Sequence, residues 1–100
     1  MFLICSDDIK WSKENLANLP GKQSGIAFMS DRTKDYMIDF GILINSNHSI
    51  ITAGTFGWWA GWLAGGEVIY STAFNDWKLR DHPHGYNKQD FFPENWIAIG

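Results

Sequence analysis

Apolar and polar positions alternate along this chain in blocks of strand and helix length. The run from Met1 to Ser6, MFLICS, reads as a first strand that passes straight into the polar triplet Ser6-Asp7-Asp8. Ser and Asp accept hydrogen bonds from the unpaired N–H groups of a helix start, so a helix is predicted from this triplet through about Asn15 to Leu19. Pro20-Gly21 ends it, the segment GKQSG is a loop, and Gly25-Ile26-Ala27-Phe28-Met29 is a second apolar run of strand length. From Thr33 onward Tyr36, Met37, Phe40, Leu43 and Ile44 recur at helical spacing, which predicts an amphipathic helix ending in Asn45-Ser46-Asn47. At about 100° per residue Asp35 falls on the far side from that apolar face, while Asp39 sits at its edge.

The stretch from His48 to Gly66 organises the rest. A β-branched run, His48-Ser49-Ile50-Ile51-Thr52, feeds through the small-residue turn Ala53-Gly54-Thr55 into an apolar helix from Phe56 to Leu63. Gly57, Gly61 and Gly65 recur every fourth residue on one side of that helix, where another backbone can approach closely. Glu67-Val68-Ile69-Tyr70 is the next strand. Strand and helix in alternation predict parallel βαβ units, half of a doubly wound α/β sheet. The rhythm then fails: 72–87 is polar, aromatic and punctuated by Pro and Gly and reads as an irregular loop, Lys88 to Phe92 as a short helix, and Trp96 to Ile99 as a last strand.

Composition narrows this picture. One hundred residues make one domain, and 45% apolar residues with six Trp still supply a core. A net charge of -3 without a basic run offers little to phosphate backbones or anionic lipid, so neither nucleic acid nor a membrane surface is the expected partner. The lone Cys5 permits no internal disulfide and reads as a packed strand thiol. The apolar segment 55–66 is shorter than the ~20 residues a membrane span needs. No basic region or cleavage site of a signal peptide follows Met1.

Candidate chemistry gathers at two strand ends. At Gly54-Thr55-Phe56-Gly57 the Thr55 hydroxyl either caps the helix or, with neighbouring N–H groups, holds a phosphate; neither GxGxxG nor GK[ST] is present. Asp7-Asp8 is either a capping pair favoured by the helix dipole or part of a ligand site. Both lie at carboxyl ends of predicted parallel strands, the edge along which open α/β sheets bind ligands. His82 and His84 lack a third ligand and read as an exposed loop, and His48 as a hydrogen-bonded structural histidine. Trp58, Trp59 and Trp62 read as core rather than as a sugar platform, whereas Trp77 is freer to be exposed. Asn47-His48-Ser49 is formally a glycosylation sequon at the mouth of a strand.

In order and spacing, the segments FLICSDDIKWSKENL, IDFGILINSNHSI, TAGTFGWWAGWLAGGEVIY and FFPENWIAIG resemble the C-terminal part of GDP-fucose-dependent galactoside α-1,2-fucosyltransferases. The resemblance implies a Rossmann-like half of a GT-B-type glycosyltransferase with a parallel sheet and flanking helices, 1–100 forming a single nucleotide-sugar-binding domain and a fragment of a longer enzyme. It implies inverting transfer of fucose from GDP-fucose to the 2-hydroxyl of a terminal galactose, with no cofactor and no metal, and a galactose-terminated glycan as acceptor. By position, Asp39 would help hold the guanosine part, Gly54, Thr55 and Phe56 the ribose or diphosphate, and Asp7 and Asp8 would line the nucleotide cleft. The family's arginine motif, which stabilises the diphosphate leaving group, has no counterpart here, so little transfer is expected of this chain alone and no catalytic residue is nominated. An animal parent would be a Golgi membrane protein with this region in the lumen; a bacterial parent would be cytoplasmic. The competing expectation is a non-catalytic carbohydrate-binding module built on Trp77 and neighbouring aromatics.

Overall fold

A computed structural model describes residues 1–18, 25–30, 35–72 and 91–100. The Pro20-Gly21 helix stop, the loop around it, the Thr33 helix start, Trp77, His82, His84 and most of the irregular segment and its short helix lie outside these residues. The chain divides into two compact units, Met1–Asn45 and Ser46–Gly100.

In the first unit β1 (Phe2–Ile4), α1 (Ile9–Leu16), β2 (Ile26–Phe28) and α2 (Tyr36–Ile44) follow one another. The two strands pair in parallel with Leu3 opposite Ala27. The ladder is extended by Phe2 N–H to Gly25 O and Met29 N–H to Ile4 O, both 2.8 Å. Each of these two helices starts on an aspartate. Asp8 Oδ1 accepts the Trp11 N–H at 3.0 Å, and Asp35 Oδ1 accepts the Met37 N–H at 2.8 Å. The capping reading of Asp8 is thus what the structure shows.

The apolar face expected on α2 is only partly used. Tyr36 is 71% and Met37 60% exposed, while Asp39 is buried at 7%. Burying a carboxylate costs heavily unless a donor meets it. Ser30 supplies that donor, and so the helix turns Asp39 inward, a rotation that hydrophobic periodicity does not register.

In the second unit β3 (Ser49–Ile51), α3 (Thr55–Ala64), β4 (Val68–Ser71) and β5 (Ile97–Ile99) form a three-stranded parallel sheet in the order β3-β4-β5. Ile50 stands opposite Ile69, and Ile69 opposite Ile97. The core is Ile51, Val68, Tyr70 and Trp96, with Trp58 and Phe92 packed against it. Tyr70 and Phe92 stack at 4.0 Å between ring centroids.

The glycine stripe decides how α3 lies. A Cβ on Gly57 would stand 3.2 Å from Ile51 Cβ, and one on Gly61 would stand 3.1 Å from a Val68 methyl. The smallest side of the helix therefore faces β3 and β4, as the repeat suggests. The bulky residues are displaced to the other sides: Trp59 and Trp62 are 51% and 52% exposed, and Trp58 is half-buried. The core reading of these tryptophans holds for Trp58 alone. For Trp59 and Trp62 it is overturned, because the face that meets the sheet has no room for an indole. Trp96, from outside the helix, fills the core instead.

Parallel α/β units flanked by helices, the expected fold class, are what both units show. Among the described residues, no helix is long and apolar enough to cross a membrane.

Candidate functional site

At the carboxyl end of β1 the chain places three polar side chains within hydrogen-bonding reach. Ser30, just past β2, accepts the Ser6 N–H on its Oγ at 2.8 Å and donates its own proton to Asp39 Oδ2 at 2.6 Å. Such charge-assisted bonds are short and roughly twice as strong as neutral ones. Ser6 Oγ in turn accepts the Asp8 N–H at 3.0 Å. A continuous path thus runs from Asp39 through Ser30 and Ser6 to Asp8 and the cap of α1. Asp7 and Asp8 are both exposed at this strand end. Ser12, also buried, donates its hydroxyl to Asp8 O at 3.0 Å and pins the first turn of α1.

Cys5 lies beside this cluster, its thiol directed at the Asp39 carbonyl oxygen at 3.9 Å. Burial, and secondarily the Asp39 charge, push the thiol up from 9.0 to about 11, against a smaller opposing effect of the Ser30 hydroxyl. A thiol so held is protonated near neutrality and a poor nucleophile, in line with the packed-thiol reading.

In the second unit the candidate is the turn from β3 into α3. Gly54 occupies the cap position at φ +116°, a backbone conformation reserved in practice for glycine, and no side chain caps the helix. Thr55 is the first helical residue rather than the cap, which corrects the capping alternative considered for it. The chain reverses at Gly54 itself, so Thr55 enters the helix with its side chain past the cap position. Gly54, Thr55 and Phe56 are all exposed. The arrangement is a helix N-terminus without a side-chain acceptor, directly beyond the carboxyl end of a parallel strand.

The far end of the same unit is fixed by backbone proximity. His48 Nδ1 accepts the Glu67 N–H at 3.0 Å, which bears out the structural reading of His48. A Cβ on Gly66 would run into the Asn47 carbonyl oxygen. Among the described residues, no group of three or more His, Cys, Asp or Glu side chains could hold a metal ion.

A sequence model of glycosyl transferase family 11 matches residues 1–100, the whole chain. The chain belongs to glycosyl transferase family 11. Within its relatives, galactoside alpha-(1,2)-fucosyltransferase 1 of Homo sapiens is 37% identical over 75 residues, which cover 74% of this chain and 20% of the human protein. The Bos taurus enzyme of the same name is 39% identical over 75 residues, with the same coverage. A galactoside 2-alpha-L-fucosyltransferase of Bos taurus is 37% identical over 100 residues, 99% of this chain and 26% of the relative. The family 11 chain thus spans about a fifth to a quarter of the length of these curated relatives. No solved structure matches it.

Of the residues singled out in the sequence, Asp7, Asp8 and Asp39 belong to the first unit, where the Ser6–Ser30 path joins Asp8 to Asp39. Gly54, Thr55 and Phe56 form one turn in the second. Ser30 was missed by sequence reasoning. Its signal was available: a hydroxyl residue immediately past a predicted strand, on the sheet edge that also ends in Ser6-Asp7-Asp8.

Proposed function

We propose that this family 11 chain is the donor-binding part of an inverting, GT-B-type fucosyltransferase that moves fucose from GDP-fucose to the 2-hydroxyl of a terminal galactose. The observation that carries this reading is the start of α3, where glycine replaces a side-chain cap at the end of a parallel strand. N–H groups and the positive end of the helix dipole suit an anionic ligand there. A diphosphate supplies the oxygens that a capping side chain would otherwise supply. The same dipole would stabilise charge on the GDP leaving group as the glycosidic bond breaks, with no metal required.

Asp39 supports this reading from a different position. Its carboxylate is engaged by Ser30, so its part is to hold the Ser6–Asp8 turn in place. Inverting transfer also needs a base for the acceptor hydroxyl, and no residue of the described set is assigned that role. The names of the relatives support galactosides as acceptors; the acceptor glycan and the complete reaction belong to the whole enzyme.

Thermal unfolding with and without GDP tests the proposal. Saturating GDP is expected to raise the midpoint by about 5 °C or more, the effect of a ligand present well above its Kd. Thr55→Ala and Asp39→Ala are expected to reduce that rise. A midpoint unmoved by GDP, in this chain and in a full-length enzyme containing it, would falsify the reading.

A further inference from the structure

We infer that the cleft at the carboxyl-terminal end of α3 binds a neutral hexose ring. It is lined by Gly61, Trp62, Gly65, Gly66, Asn95 and Trp96 and has a volume of about 260 Å³. Sites for drug-sized ligands run to ~300–1,000 Å³, and this cleft, just below that range, is the size of a single sugar ring. It is also separate from the turn at Gly54: its lining begins at Gly61, seven residues further along the helix, about 10 Å at the usual rise. The inference does not depend on the donor reading.

The chemistry of the lining selects the ligand. Trp62 is half exposed and is backed by Trp58, whose ring lies nearly parallel at 5.5 Å between centroids. Trp58 is itself anchored, donating its indole N–H to the Phe91 carbonyl oxygen and packing against Trp96 at 5.6 Å. Trp62 is thus a platform held in place before any ligand arrives, which lowers the ordering cost of binding. An indole face suits the C–H face of a pyranose, with the ring's hydroxyls left for polar partners.

Those partners are present and uncharged. The exposed Asn95 amide both donates and accepts. At the helix end Gly65 turns the chain at φ +77°, and its N–H reaches Gly61 O at 3.4 Å. The last-turn carbonyls give this end a partial negative charge, which favours hydroxyl donors and disfavours phosphate or carboxylate. No lining side chain carries a charge. The backbone wall is closely packed as well, since Gly66 has no room for a Cβ beside the Asn47 carbonyl.

The test is saturation-transfer NMR on the full 100-residue chain with lactose as the probe, alone and with saturating GDP. Saturable transfer to the ring C–H protons is expected, with Kd in the millimolar range and unchanged by GDP. Trp62→Ala is expected to weaken binding about tenfold, the worth of one ring contact, and Trp62→Phe to retain most of it. Leu63→Ala, on the same helix and equally exposed, leaves it unchanged. If Trp62→Ala loses its circular-dichroism spectrum, Asn95→Ala at the rim decides, with a severalfold loss expected. Absence of transfer, binding indifferent to both Trp62→Ala and Asn95→Ala, or displacement of lactose by GDP overturns the inference. Failure of GDP to bind at all overturns only the donor reading.

Discussion

The three described helices begin in two different ways. α1 and α2 start on Asp8 and Asp35, whose carboxylates accept N–H groups of the first turn. α3 starts on Gly54, which has no side chain to offer. Aspartate caps satisfy the helix from within and place a negative charge where an anion would otherwise dock. A glycine cap leaves the positive end of the helix to an external partner. On the donor reading proposed above, the contrast sets two helix starts closed by their own side chains against one left open for an anionic ligand.

The comparison can be broken most directly by making the third start like the other two. Gly54→Asp introduces a carboxylate at the α3 cap and is expected to weaken GDP binding by about 100-fold or more, through repulsion and occupation of the donors. Titration calorimetry reads it. The variant should also lose ~1–3 kcal/mol of stability, since this backbone region is open in practice only to glycine. Undiminished affinity would place the diphosphate elsewhere.

Next in size is Ser30→Ala, which removes the hydroxyl between Ser6 and Asp39 and leaves a buried carboxylate without that donor. About 2 kcal/mol of stability should be lost, as urea denaturation would show. Ser30→Thr should recover part of it, since only the hydroxyl is needed. Asp35→Ala should cost ~1 kcal/mol without changing GDP affinity by a comparable factor, as befits a cap outside the proposed cleft, whereas Asp8→Ala, in the turn that Asp39 holds, should lower both stability and GDP affinity. An Asp8→Ala variant that lost stability and kept its full GDP affinity would remove the Ser6–Asp8 turn from the donor site.

The smallest effect is confined to alkaline pH. Because the Cys5 thiol is pushed up to about 11 from 9.0, folding favours its protonated form. Its contribution to stability is then complete below pH 9 and is lost as pH rises toward 11, when the unfolded chain releases the proton first. A Cys5→Ser chain should show a flatter stability profile across that window.

Much of the fold was legible because its signals are local. The order of strands and helices follows from apolar runs and turn residues, and each described strand falls within about two residues of the predicted run. Asp8 could be recognised as a cap because capping joins residues three apart. Asp39 could not be fully placed, since its burial depends on a hydroxyl nine positions earlier, on another element. The tryptophans of α3 were misassigned because hydrophobicity alone favours the largest apolar face for burial. Here clearance decided, and the glycine repeat that set it was visible in the sequence. The turn at Gly54 was found by composition, while the conformation that makes Gly54 rather than Thr55 the cap was not.

The bond from the Glu67 N–H to His48 Nδ1 constrains the proton inventory of the second unit. An imidazole nitrogen that accepts from the main chain has no hydrogen of its own, so neutral His48 must be the Nε2–H tautomer. The starts of β3 and β4 are thus joined by a fastener that only one tautomer of the ring supplies, and nitrogen-15 shifts of the ring would report that tautomer directly.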